Sequence, residues 1–387
     1  MSFSPIPILD LRSQYQRLQT EIQAAIAQVL ESGHFILGPE VQAFEAEAAA
    51  YLGVKHAIGV NSGTDALIIG LRALGIGTGD EVITTPFSFF ATAESISNVG
   101  ATPVFVDVEQ HSFNLNPAAI RAKITPRTRA ILPVHLFGNP AAMGQILDIA
   151  QEYQLKVIED CAQSFGARYF GSCTGCEGDC KPSTLAALQG RFTGGLGHLG
   201  AFSFFPSKNL GAYGDGGLIV TDDDQIADLA QQLRVHGAKH RYHNELFGYN
   251  SRLDALQAAI LRVKLPYIDS WNAARRQVAR HYNQRLADLP ELITPEITDG
   301  HVFHQYTIRV MNQQRDRLKT ALENAGISTM IYYPVPQDRL PVYAGKYPAN
   351  PISDELSTQV LSLPIWPELE LAQIEFITDQ IRQALGH

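Results

Sequence analysis

Short β-branched apolar runs alternate with helical patterns over the first two-thirds of the chain, and this rhythm limits the folds open to it. The runs fall at 56–60, 81–84, 102–106, 129–134 and 156–158, with helical spacing at 65–74, 91–99 and 141–153 between them. A strand that leads through a helix to another strand returns to the same sheet in parallel, with a helix over its face. The expectation is an α/β fold, a three-layer and mostly parallel sheet, continued by the runs at 201–205 and 218–221. Ligands in such sheets collect beyond the carboxyl ends of the strands.

The texture changes at residue 254. Helical patterns cover 254–264 and, after Pro266, 268–286; a strand-like run at 306–310 and helices near 315–325 and 371–385 follow. This predicts a large α/β domain over 32–265 and a smaller α+β domain over 266–387. The N-terminal segment 1–31, helical near 21–31, is expected to complete the smaller domain. There is no internal repeat or low-complexity tract.

Hydrophobic residues make up 45% and charged residues 18%, as in soluble globular proteins. A net charge of −9 argues against a nucleic-acid surface. No apolar run reaches the roughly 18 residues that span a bilayer. Residues 1–16 lack a basic stretch followed by an apolar one, so no signal peptide is read and the expected location is cytoplasmic.

Chemistry concentrates at the strand ends. Lys208 stands in Phe204-Phe205-Pro206-Ser207-Lys208-Asn209-Leu210-Gly211, between an apolar strand and the glycine-rich Gly214-Asp215-Gly216-Gly217. Withdrawal from water lowers an ammonium pKa and frees the amine to form a Schiff base with an aldehyde such as that of pyridoxal phosphate. A solvated surface lysine is the plainer alternative. Asn61-Ser62-Gly63-Thr64-Asp65 ends one strand and opens a helix, as a phosphate site or an ordinary cap would. Asp160, in Glu159-Asp160-Cys161-Ala162-Gln163, could keep a pyridine nitrogen protonated or could simply be ion-paired. Phe89 could stack on a planar ring or pack in the core. Ser203 could donate to the same phosphate or be an ordinary strand residue. Each signal is weak alone; together they occupy the ends of successive strands.

On these residues the chain resembles the DegT/DnrJ/EryC1/StrS sugar aminotransferases, fold type I enzymes dependent on pyridoxal phosphate. The resemblance runs from Ile8-Leu9-Asp10-Leu11 to the C-terminal helix and is most specific at 61–67, 159–163, 201–217 and 248–254. It implies that Lys208 forms the Schiff base and moves the proton between substrate and cofactor carbons. It implies further that Asp160 pairs with the ring nitrogen, Gln163 bonds the ring hydroxyl and Phe89 stacks on the ring. Gly63, Thr64 and Ser203 would hold the phosphate. Asn250 would reach the phosphate of a neighbouring subunit, making a homodimer with shared sites. His304 lies in a further matching stretch, His304-Gln305-Tyr306-Thr307-Ile308-Arg309.

The implied reaction moves an amine from an amino acid, typically glutamate, to a keto group of a nucleotide-linked sugar, with a 3-keto sugar favoured over a 4-keto one. Cations for the diphosphate are sought in the basic stretch 234–243, at Arg234, His236, Lys239 and Arg241, and at Arg252; the alternative for that stretch is a solvated loop.

Two departures stand out. The connection from Asp160 to Lys208 is longer than the family's, through an insertion near 173–192 that holds Cys173, Cys176 and Cys180. Three thiolates at this spacing could converge on zinc or an iron–sulfur cluster, with His198, Cys161 or a partner residue as fourth ligand. The other reading is a surface insertion with free thiols. Second, Tyr332-Tyr333-Pro334-Val335-Pro336 continues into Gln337-Asp338 where the family commonly has Leu-His, at the substrate end of the pocket. Two other functions compete with transamination. A sugar dehydratase or deoxygenase using pyridoxamine phosphate and a cluster is disfavoured by Lys208, which such relatives replace with histidine. A non-catalytic regulatory homologue is disfavoured by the intact set Lys208, Asp160, Gln163 and Ser203.

Overall fold

A computed structural model describes residues 5–171, 181–240 and 242–387. Three helices, α1 (Leu11–Arg17), α2 (Gln19–Ser32) and α3 (Pro39–Leu52), lead into strand β1 (His56–Val60) and helix α4 (Gly63–Ala73). Then come β2 (Glu81–Thr84), α5 (Ala91–Asn98), β3 (Thr102–Phe105), β4 (Thr128–Leu132), α6 (Met143–Tyr153), β5 (Lys156–Asp160) and α7 (Pro182–Leu188). β6 (Leu199–Ser203), β7 (Gly217–Thr221) and α8 (Asp224–Leu233) follow.

The seven strands form one sheet in the order β1-β7-β6-β5-β4-β2-β3. The expected parallel pairing holds among β3, β2, β4, β5 and β6. β7 departs from it, running antiparallel between β1 and β6. The chain turns back after β6 through the segment carrying Lys208, with no helix crossing a face of the sheet, and a direct return makes an antiparallel neighbour.

Alternation along these strands splits the core in two. Phe202, Leu218 and Val220 face Phe44, Leu253 and Leu261 under α3 and α9 (Ala255–Lys264). Leu199, Ala201 and Ile219 face Ile69, Ile226 and Leu233 under α4 and α8. α8 is absent from the sequence expectation although its start is legible. Asp223 accepts hydrogen bonds from the amides of Gln225 and Ile226, and the buried face repeats at Ile226, Ala227, Ala230 and Leu233.

After α8 a short ribbon, β8 (Ala238–His240) with β9 (His243–Asn244), stands in the basic stretch. The long helix α10 (Ile268–Leu286) follows α9, and a second, antiparallel sheet joins β10 (Leu292–Ile293), β11 (Tyr306–Val310) and β12 (Val360–Leu363). It packs with α10, α11 (Arg315–Asn324) and α13 (Leu371–Leu385), burying Tyr282, Phe303, Ile308 and Ile377. β12 follows α12 (Pro351–Gln359) without a loop, so no sequence break announces it; pairing with β11 makes it a strand. The N-terminal segment is divided between the two sheets. Ile6 bridges to Ile327 in the core of the three-stranded sheet, while Leu18, Ile22 and Val29 pack under α3 and α9 against the seven-stranded one. Among the described residues no helix is long and apolar enough to cross a membrane.

Candidate active site

A cavity of about 430 Å³ opens where the sheet expectation places it. Ser62, Gly63 and Thr64 reach it after β1, Ser88 and Phe89 after β2, Asp160 and Gln163 after β5, and Ser203 and Lys208 after β6. His304, Gln305, Tyr332 and Tyr333 close it from the second sheet and its loops.

Lys208 and Asp160 face this common space. Burial pushes the Lys208 ammonium down to about 8, against the opposing pull of the Asp160 carboxylate. Burial likewise raises Asp160, although it accepts hydrogen bonds from the Ala162 amide at 3.1 Å and from Thr92 Oγ1 at 2.8 Å. A buried carboxylate in this state gains most from a cation that brings its own N–H, as a protonated pyridine does. Gln163 is oriented by accepting from the Phe137 amide at 2.6 Å and donating to Tyr333 Oη at 3.2 Å.

His304 is held neutral by burial, with Lys208 and Arg275 adding to the effect. The Asn209 amide donates to Asn272 and to the Val302 carbonyl, so its oxygen faces His304 Nδ1 at 3.1 Å. Nδ1 therefore carries the ring proton.

The other end of the cavity suits a phosphate. Ser62 caps α4 by accepting from the Asp65 amide at 3.1 Å, and the helix N-terminus at Gly63 and Thr64 lines the space. Any side chain at position 63 would put its Cβ 2.6 Å from Ser203 Cβ, so only glycine lets the helix start approach β6 this closely. Phe89 is 62% exposed and lines the cavity, whereas Phe87 is fully buried in the core. A helix N-terminus with hydroxyls at one end, a buried acid at the other, a lysine between and an aromatic face together fit pyridoxal phosphate.

Not every candidate gathers here. Asn250 is exposed and outside this cavity, bridged to Val235. His236 and Lys239 are exposed and Arg252 is half-buried, all away from the lining. Arg241 and the cluster Cys173, Cys176 and Cys180 lie outside the described residues. Arg234 is corrected from a substrate cation to a structural one. It is buried, paired with Glu45 at 2.5 Å and bonded to the Gly59 carbonyl at 2.8 Å, which leaves its charge committed to the core. Arg234→Ala should lower stability by about 3 kcal/mol in thermal denaturation and leave the KM for sugar substrate within about twofold. A KM rise without loss of stability would return this arginine to the substrate site.

Sequence reasoning misses Thr92 as a cavity residue and the support behind Asp160, and it places Gln305 and Tyr333 only within matching stretches, without a role of their own. His135 donates from Nε2 to Glu159 at 2.9 Å, since its Nδ1 already accepts from the Ala141 amide. Glu159 also accepts from the amides of Gly194, Leu196 and Gly197. His135, Glu159 and Cys161 lie as close together as the ligands of a metal site. The His135 and Glu159 ligand atoms are instead spent on these bonds, and burial raises the Cys161 thiol pKa. At the departure from the family pattern, Gln337 is buried and ties its loop to the Phe89 wall. It donates to Thr85 O, accepts from the Ala93 amide, and its own amide bonds Pro86 O at 2.7 Å.

Comparison with known proteins agrees with this geometry. The model of the DegT/DnrJ/EryC1/StrS aminotransferase family matches residues 16–382. The chain is 46% identical to the UDP-N-acetyl-3-dehydro-alpha-D-glucosamine 3-aminotransferase of Acidithiobacillus ferrooxidans, over 98% of each chain. It is 45% identical to a pleiotropic regulatory protein of Geobacillus stearothermophilus, over 99% of each. Among solved structures it is similar to S. venezuelae DesV in complex with a ketimine intermediate, with a TM-score of 0.91, 43% identity and full coverage of both chains.

Proposed function

This chain belongs to the DegT/DnrJ/EryC1/StrS aminotransferase family, and from that premise we propose that it moves an amine from an amino acid, L-glutamate foremost, to the 3-keto group of a nucleotide-linked sugar. The observation that carries the reading is that Lys208 and Asp160 line one cavity, together with the start of α4 and Ser203. Pyridoxal phosphate, when bound, supplies an electron-poor ring that stabilises negative charge on the neighbouring carbon.

The chain's own residues do the rest. Gly63, Thr64 and Ser203 hold the phosphate, and Phe89 covers one face of the ring. Gln163, fixed through Tyr333 and the Phe137 amide, holds the ring hydroxyl. Asp160, buttressed by Thr92, keeps the ring nitrogen protonated. The Lys208 amine, poised near neutrality by burial, accepts and returns the proton at the reacting carbon. His304 offers a neutral ring and Tyr332 a hydroxyl at the substrate side.

The preference for C3 is supported by the relative named for a 3-dehydro sugar. Asn250, exposed and outside the lining of its own cavity, is assigned to the site of a second copy in a homodimer. His236, Lys239 and Arg252 are the cations left for the diphosphate once Arg234 is withdrawn. Similarity to a protein named as regulatory does not displace this reading, which is supported by Lys208, Asp160, Gln163 and Ser203 all lining one cavity.

The test is a panel of 3-keto and 4-keto sugars on UDP and dTDP, with glutamate as donor and 2-oxoglutarate release as readout. The 3-keto substrates should lead in kcat/KM by about tenfold or more. Faster turnover of the 4-keto set would overturn the position assigned, and silence across the panel would overturn the sugar assignment.

A further inference from the structure

Lys264, the last residue of α9, is fully buried. Its Nζ donates to the Gly211 carbonyl at 2.7 Å and stands 4.0 Å from the centre of the Tyr213 ring. Among the described residues no carboxylate shifts its titration; burial alone lowers it, to about 7. An amine there donates to a carbonyl in either protonation state. An unpaired ammonium is a poor choice for packing, since a methionine of similar reach would fill the space without the desolvation cost.

The carbonyl it holds lies in the turn that presents Lys208. That turn closes through the Lys208 amide to Phe205 O and the Ala212 amide to Phe204 O, both at 2.8 Å. Gly211 is pressed against both flanks of Lys208: a Cβ there would lie 2.3 Å from Pro206 O and 3.2 Å from Lys208 O. Movement of Gly211 is therefore passed directly to the backbone around Lys208. Two more ties come from the same helices, Asn209 to Asn272 on α10 and the Tyr213 amide to Gln257 on α9.

We propose that Lys264 is a positioning residue for Lys208, holding the Gly211 carbonyl so that the Lys208 amine enters the cavity at one fixed point. The inference rests on Lys208 being the cofactor-linked lysine.

The test compares wild type and Lys264→Met, both reconstituted with pyridoxal phosphate. It follows the visible band of the lysine-linked cofactor against pH, then kcat and KM for glutamate. Lys264→Met should shift the midpoint of that band by about half a pH unit or more and lower kcat about tenfold, with KM changed less than about twofold. A change in melting temperature alone, with band midpoint and kcat as in wild type, overturns the proposal and leaves the reading of Lys208 intact. Absence of a lysine-linked band in wild type overturns both. If Lys264→Met does not fold, Tyr213→Leu decides. It removes a partly exposed ring from beside the ammonium. It should shift the band in the same direction by a smaller amount; an unchanged band and kcat would sink the idea.

Discussion

Lys208→Ala will lose the visible band of reconstituted enzyme and lower kcat by on the order of 10⁴-fold, because one side chain serves both as the covalent anchor and as the proton carrier. The fold will persist. The ammonium is destabilised in the folded chain, held near 8 by burial, so the cofactor-free variant will be at least as stable as cofactor-free wild type near neutral pH. The same shift sets the pH dependence of anchoring. A lysine whose pKa is lowered presents free amine above the lowered value, not above the ordinary one of about 10.4. Borohydride trapping of pyridoxal phosphate on Lys208 in the cofactor-free chain will therefore rise through pH of about 8 and then level. Mass mapping of the trapped peptide supplies the site. Trapping elsewhere in the chain, or a rise only near pH 10, would refute the assignment of this amine.

Asp160→Asn will retain cofactor but lower kcat by about 10²- to 10³-fold, the usual loss when one preorganised electrostatic partner of a reacting group is removed. The amide cannot hold a proton on the ring nitrogen, so charge built at the reacting carbon loses its sink. The support around position 160 argues that the loss is electronic. Thr92 and the Ala162 amide address the two carboxylate oxygens separately, and the Glu159–His135 pair next to it is independently satisfied. The measurement is kcat together with cofactor affinity. Loss of affinity with full activity in saturating cofactor would reduce Asp160 to a binding role.

How much of the site was legible depended on whether a residue's role was local. The end of β1 with Gly63, and the Lys208 turn, are contiguous motifs in which capping, close approach and the proposed nucleophile are written within a few residues. Asp160 and Gln163 sit together after one strand. Thr92, and the role of Tyr333, were silent because they act on partners far away in the chain, Asp160 and Gln163 respectively. Arg234 misled for the same reason inverted. Its neighbours form a basic run, while its true partner, Glu45, lies on α3 far upstream.

The alternation of apolar periods was enough to predict a sheet with helices on both faces. The glycine and lysine motifs marked the proposed phosphate end and the proposed nucleophile, since both depend on backbone freedom and burial over a few residues. That β7 runs backwards, that Arg234 is a core cation and that Lys264 sits under the Lys208 turn could be read only from the folded chain. Strand direction, exposure and charge pairing are set by what packs alongside, and a side chain's neighbours in space are chosen by the fold as a whole.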